Sequence, residues 1–497
     1  MNNALKIYNE TNEKIKALSL AGFLIGWDMQ TEIPKKADHS KQLATLSEME
    51  YNLATTPEYK NAIDLLFANK DSLDEVLKHE ITVMKESNDK LSKIPVEEYV
   101  AFSSLTNEFY NVYVECKQNN DFKKAMPYYQ KVIDYRHKYA KWLETPTLKG
   151  YDVLLDEFER GMTVKEYDEF FNLLKAKLVP VILKINALPK KEFKWAEQIF
   201  PAEGQRQFQE YLREVFGFTP DLTVIKESEH PFTSSNTVTD VRITNHFYEN
   251  NFASSIFSAI HEMGHGIYEL QVAPEIDETM SGGGASMAMH ESQSRFMENL
   301  VARSPAFWKR HFAKLKEIFP TQLEGVTVED MIEYVNLAEC SLIRTEADEL
   351  TYSLHVLIRY EMEKRIMAGE ITAEEIPQNW NALYKEYLGV DVPDDTHGCL
   401  QDVHWAYGEF GYFPTYALGS AYSSQIYNAM NKCFNVEEAI EGGNMKAITD
   451  WLRDNIHKYG SSKFSKDILY LATGEEFNPE YYVDYLVKKY TALYKLN

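Results

Sequence analysis

Along most of this chain, apolar residues recur every three or four positions with charges between them. In "DELTYSLHVLIRYEMEKRIM" (348–367), Leu350, Leu354, Leu357, Ile358 and Met362 form one stripe, which predicts an amphipathic helix. "DFKKAMPYYQKVIDYRHKYAKWLE" and "EYDEFFNLLKAKLVPVILKI" have the same period and predict two more. One stretch departs from it. "TVTDVRITNHF" (237–247) is β-branched and alternating, so it predicts a strand with Val241 and Ile243 on one face and Asp240, Arg242 and Thr244 on the other. Strands and helices do not alternate as a parallel sheet would require, and no repeat of fixed period occurs. The pattern predicts a predominantly all-α fold with a minor β element.

Composition narrows the picture. A chain of 497 residues can bury one large core, and its 22 glycines and 17 prolines are too scattered to mark a flexible linker. The expectation is a single domain over 1–497. A net charge of −24 excludes a nucleic-acid backbone as the main partner, because no basic footprint exists to displace counterions. The four cysteines (Cys116, Cys340, Cys399, Cys433) form no CxxC pair, so neither a disulfide framework nor a thiolate zinc site is expected. The start, "MNNALKIYNETNEKIKALSL", is polar and lacks the apolar run of a signal peptide, and no spanning segment of about 18 apolar residues follows. The expected setting is cytoplasmic, without a membrane partner.

Candidate chemistry concentrates in "AIHEMGHGIY" (259–268). Residues four apart share a helix face, so His261 and His265 can reach one ion. Glu262 lies about 100° round the helix, placed to hold a water on that ion and act as its base. Neutral imidazole suits zinc, and a catalytic zinc takes three protein ligands and keeps one open position. The longer metzincin pattern fails, because Tyr268 and Gln271 stand where its glycine and third histidine belong. Downstream, "SMAMHESQSRFMENLV" (286–301) predicts a second amphipathic helix carrying Glu291, which would complete a His₂Glu set. His290 and Glu298 are rival ligands. The turn "SGGG" (281–284) has no following Lys-Ser/Thr, so it reads as a tight connection near the cleft and not as a phosphate cradle.

The segments "HPF" (230–232), "DVRIT" (240–244), "HEMGH" (261–265), "HESQS" (290–294), "IRTEAD" (343–348) and "GCLQDVHW" (398–405) occur in that order. With "WDMQTEIP" (27–34) and "GYFPTYALG" (411–419), they make the chain resemble the carboxypeptidase Taq family of metallocarboxypeptidases over nearly its whole length. The resemblance implies one large, almost wholly helical domain with a deep active-site groove and a small sheet. It further implies a homodimer, zinc or sometimes cobalt as cofactor, and removal of C-terminal residues from peptides with broad specificity.

Roles follow from that implication. Glu262 would take a proton from a metal-bound water and return one to the leaving amine. His404, Tyr412 and Tyr416 are candidates to stabilise the developing oxyanion. A free α-carboxylate needs a fixed cation, and the guanidinium fork suits it. Arg344 of "IRTEAD" is the first candidate, with Arg242 second and Arg295 third. Asp348, four residues after Arg344, would hold its guanidinium, and His230 of "HPF" joins the substrate-binding set. Two other readings share the metal motif: a zinc oligopeptidase or endopeptidase, which needs no carboxylate clamp, and a non-catalytic peptide-binding protein on a zinc-stabilised scaffold.

Overall fold

The computed structural model describes residues 1–32 and 37–496; Ile33 and Pro34, which end the "WDMQTEIP" segment, lie outside it. Among the described residues there are 21 α-helices and one three-stranded sheet, so the fold is predominantly helical, as the periodicity predicts. The two further helices expected from their period are Phe122–Leu143 and Val164–Asn186. The second starts at a capping box in which Thr163 and Glu166 satisfy each other's backbone donors. The four cysteines are free thiols.

The first four helices, Asn2–Thr31, Ser40–Ala54, Pro57–Ala68 and Glu75–Ser92, enclose a small core of Ala4, Tyr8, Tyr59, Ala62, Ile63, Leu66 and Ile81. Polar contacts tie this bundle to the large core. Buried Glu80 accepts the Tyr8 hydroxyl at 2.8 Å and the backbone N–H of Ser281 at 2.8 Å. A cavity of about 710 Å³ lies between the bundle and the main body, and Met84, Phe158, Ser286, Met287 and His290 are among its walls.

The strand expected at 237–247 is shorter and has neighbours. β1 (Thr223–Glu227) pairs parallel with β3 (Asp240–Asn245), and β2 (Thr233–Thr237) pairs antiparallel on its other side. Val241 and Ile243 are buried as the alternation requires. Thr244 departs from expectation. It too is fully buried, where its hydroxyl oxygen accepts the Phe232 N–H and lies 2.7 Å from the Ser228 hydroxyl.

Two helices expected to be amphipathic are instead buried almost all round. The stretch 348–367 becomes a helix over Tyr352–Met367, and its charged Arg359 and Glu363 have no exposure at all. The stretch 286–301 becomes an α-helix over Met287–Arg295 that continues into a π-helical turn over Phe296–Ala302. A central helix with neighbours on every side has no solvent face, so its charges must find partners inside.

Candidate metal centre

The "HEMGH" segment sits in the helix Phe252–Leu270, which starts where the Asn251 side chain accepts the Ser254 N–H. His261 and His265 project from one face, one turn apart. The helix carrying Glu291 packs against it at very short range. A Cβ on Gly264 would lie 2.6 Å from Ser294 Cα, so only glycine lets the two backbones approach this closely.

That approach brings the donors together. His261 Nε2 and His265 Nε2 each lie 3.6 Å from the same Glu291 oxygen, and ligand atoms of all three fall within 4.8 Å of one another. Tetrahedral zinc with bonds of about 2.1 Å needs donor atoms roughly 3.4 Å apart, so the set fits such an ion. Among the described residues, no other cluster of His, Cys, Asp and Glu is so arranged.

The remaining imidazole nitrogens are fixed in ways the sequence did not reveal. His261 Nδ1 donates to Glu298 Oε2 at 2.9 Å. His265 Nδ1 lies 2.7 Å from His290 Nδ1, and His290 Nε2 lies 2.6 Å from Glu269 Oε1. Glu269 accepts a hydrogen bond from His290 Nε2–H, so His290 Nδ1 is left to accept one from His265. Both ligand histidines therefore hold a proton on Nδ1 and present a free lone pair on Nε2. The "SGGG" turn seats this relay: Gly284 donates its N–H to Glu269 at 3.1 Å, and a Cβ there would fall 2.5 Å from the His290 ring.

Thus the rival ligands have other work: His290 and Glu298 orient the histidines while Glu291 faces the ion site. Arg295 bridges Glu291 (2.7 Å) and Glu298 (3.1 Å), so its charge is already matched by two carboxylates. Burial opposes charge on Glu298, but Arg295 and His261 outweigh it and hold the carboxyl well below its usual range. Burial lowers the His265 pKa well below normal, with His290 adding to it.

Glu262 is buried beside the histidines, and burial raises its pKa. The Thr233 hydroxyl on β2 donates to it at 2.7 Å. Reading the sequence missed Thr233, since "TSSNT" shows no apolar alternation to signal a strand.

The cation candidates separate clearly. Arg344 is 6% exposed; its Nη2 donates to Asp402 at 2.8 Å and its Nη1 to Tyr352 at 3.2 Å. Its guanidinium lies over Tyr416, 4.9 Å from the ring centre. Asp402 is shared with Arg359, whose Nε donates at 2.7 Å, so two arginines face one carboxylate. Asp348 does not hold Arg344. The segment forms a 3₁₀ turn over Arg344–Glu346 and then an extended residue at Ala347, which removes the i,i+4 geometry. Asp348 instead holds the turn that leads into the central helix, accepting the N–H groups of Leu350 and Thr351. Arg242 forks on to Asp240 (2.8 and 3.0 Å) and stacks over Phe23 and Trp27 of the first helix. His230 is exposed, and its backbone carbonyl accepts the Ser228 hydroxyl.

His404, Tyr412 and Tyr416 form one cluster. His404 Nε2 lies 3.4 Å from the Tyr416 hydroxyl, and its ring centre is 5.3 Å from that of Tyr412. Burial, aided by Arg344, lowers the His404 pKa to about 4, so the ring is neutral at pH 7. Burial raises both tyrosine pKa values, so both keep their protons.

The sequence model of the carboxypeptidase Taq (M32) metallopeptidases matches residues 7–490. Carboxypeptidase 1 of Bacillus subtilis is 37% identical over 491 residues, covering 97% of each chain. Thermostable carboxypeptidase 1 of Pyrococcus furiosus is 33% identical over 486 residues, covering 96% of each. The crystal structure of the M32 carboxypeptidase from Deinococcus radiodurans R1 superimposes with a TM-score of 0.95 at 32% identity, covering 99% of this chain and all of that one.

Proposed function

Since this chain belongs to the carboxypeptidase Taq (M32) metallopeptidase family and is a metal-dependent carboxypeptidase, we propose that His261, His265 and Glu291 hold one zinc ion, with cobalt able to replace it. The observation that carries this reading is the pair of Nε2 atoms, each 3.6 Å from one Glu291 oxygen, with both Nδ1 atoms already engaged. Two imidazoles and a carboxylate are the donor set of hydrolytic zinc sites. A zinc ion bound there supplies a Lewis acid that polarises the scissile carbonyl and makes water near it more acidic.

The protein's own groups do the rest. Glu262, its carboxylate steadied by Thr233, takes the proton from the attacking water and returns it to the departing amine. Neutral His404, with Tyr412 and Tyr416, donates hydrogen bonds to the carbonyl oxygen as charge builds on it. Arg344 receives the substrate's terminal carboxylate. Arg344 and Arg359 share only Asp402, which leaves one positive charge uncompensated among these three groups. Arg242, Asp348 and His230 act at one remove, through the strand, the turn before the central helix and the "HPF" loop that frame the site.

The substrates are peptides with a free C-terminal carboxylate, taken with broad side-chain specificity. The chain works as one catalytic unit, since its motifs from Thr233 to Tyr416 converge on one cluster. We assign it to the cytoplasm as a homodimer, with no nucleic-acid or membrane partner. No helix among the described residues is long and apolar enough to cross a membrane. Val96, Tyr99, Val100, Tyr110 and Val114 form an exposed apolar stripe on the helix Val96–Asn119 that could bury against a second copy.

Mass spectrometry of a mixed peptide pool tests the central reading. Zinc-loaded protein should give a ladder of C-terminal losses that chelation abolishes and added zinc restores. Internal cleavage, or a ladder that survives chelation, would overturn it.

A further inference from the structure

The central helix Tyr352–Met367 carries two ionisable side chains one turn apart, Arg359 and Glu363, both without solvent exposure. Arg359 supports Asp402. Glu363 has no part in the chemistry above, yet it is among the most heavily bonded side chains in the core. Its Oε1 accepts the indole N–H of Trp405 at 2.7 Å. Its Oε2 accepts the Tyr151 hydroxyl at 2.6 Å and the backbone N–H of Gly411 at 2.7 Å.

Two of those donors flank the oxyanion candidates. Trp405 directly follows His404, and Gly411 directly precedes Tyr412. The intervening segment is short and irregular, a 3₁₀ turn over His404–Ala406 followed by turns. Gly411 has φ +96°, and a Cβ there would meet the Leu154 carbonyl oxygen at 2.6 Å, so the backbone at this point must be held in an unusual conformation. A carboxylate accepts all three donors at once, whereas an amide must turn an NH₂ towards one of them.

We propose that Glu363 is a positioning residue for peptide hydrolysis. It pins both ends of the segment 404–412 and thereby fixes His404 and Tyr412 at the scissile carbonyl. The proposal rests on the reading of His404 and Tyr412 as oxyanion donors. A different role, as mere glue beneath Trp405, is the natural rival, since that indole also packs on Phe410, Phe413 and Trp380. Glue would act on stability. A positioning residue acts on turnover through His404.

The zinc-loaded enzyme distinguishes these in four variants: Glu363→Gln, Trp405→Phe, His404→Ala and the double variant Glu363→Gln/His404→Ala. Displacing a catalytic group by up to about 1 Å costs roughly 10- to 100-fold in rate. Glu363→Gln should therefore lower kcat by about that factor, with KM and metal content close to the parent's. Trp405→Phe should act in the same direction and less strongly. In the His404→Ala background, Glu363→Gln should add little, because the group it positions is already gone. The ¹⁵N-indole resonance of Trp405, identified by its absence in Trp405→Phe, should shift in Glu363→Gln as its acceptor weakens.

Parental kcat in Glu363→Gln, or an undiminished further loss in the His404→Ala background, overturns the positioning role while leaving the oxyanion reading intact. Parental kcat in His404→Ala overturns that reading and the proposal with it. Should Glu363→Gln fail to fold, Trp405→Phe and Tyr151→Phe each remove one donor, and parental kcat in both overturns the proposal.

Discussion

His265 Nδ1 lies 2.7 Å from His290 Nδ1, so one histidine of the metal site is oriented by the residue immediately before the third ligand, Glu291. A helix turns about 100° per residue, which points these neighbours in different directions. His290 reaches back to the "HEMGH" helix, and Glu291 faces the ion site. Replacing His290 with Phe should cost about 10- to 100-fold in zinc affinity, measured by competition with a chelator, whereas Glu291→Ala should abolish tight binding. Parental affinity in His290→Phe would remove it from this role.

Glu262→Gln keeps shape and hydrogen bonding but cannot take a proton. Turnover should fall on the order of 10²- to 10⁴-fold with metal content unchanged. Thr233→Val should give a smaller loss with metal still bound, because the carboxylate then lacks its 2.7 Å donor. Normal turnover in metal-loaded Glu262→Gln means that another base acts.

Amidating a peptide's C-terminus should weaken its cleavage by roughly 10- to 100-fold, since a charge-assisted bond is worth about 1.5–3 kcal/mol. Arg344→Ala should cause a similar loss on free peptides and add little on amidated ones. The variant should still fold, because Arg359 continues to compensate Asp402. Equal impairment of both peptides would make Arg344 a purely structural partner of Asp402.

Close packing at Gly264 sets up a comparison of two glycine substitutions. Gly264→Ala drives a methyl to within 2.6 Å of Ser294 Cα and should cost at least 1–3 kcal/mol, along with metal affinity, as the Glu291 helix is pushed away. Gly26→Ala has nothing within 4 Å and lies inside a helix, so it should stabilise by about 0.5–1 kcal/mol. Thermal unfolding of both variants, with metal analysis of the first, checks the contrast.

Stability should respond to pH through Glu159, which is 1% exposed and whose pKa burial raises to about 7. The folded state binds this proton more tightly than the unfolded chain. Its stabilising effect is therefore full below the ordinary carboxyl value of about 4.3 and is lost as pH rises towards 7. Glu159→Gln removes that dependence. The stability of the variant relative to the parent should accordingly increase between pH 5 and pH 8, by about 1.4 kcal/mol at most per pH unit. Urea unfolding of the chelated proteins at several pH values measures it. A difference that does not change with pH would show that Glu159 titrates normally.

The sequence by itself determined what depends on local periodicity. His261, Glu262 and His265 follow from the helical repeat, Val241 and Ile243 from alternation, and the predominance of helix from apolar residues three and four apart. Ordered motifs also located Glu291, Arg344 and His404. Tertiary structure alone decided what the buried charges do. In sequence, Arg359 and Glu363 look like the solvent face of an amphipathic helix, because periodicity records spacing and cannot tell a water-facing charge from one paired inside. Asp348 misled for a related reason: the i,i+4 rule assumes an α-helix, and the chain there is a 3₁₀ turn followed by an extended residue. Asp402 lies 58 residues from Arg344, and Thr233 lies 29 residues from Glu262. Such pairs form only after the helices have packed, when an ionised group cut off from water must meet a partner from wherever in the chain the fold brings one.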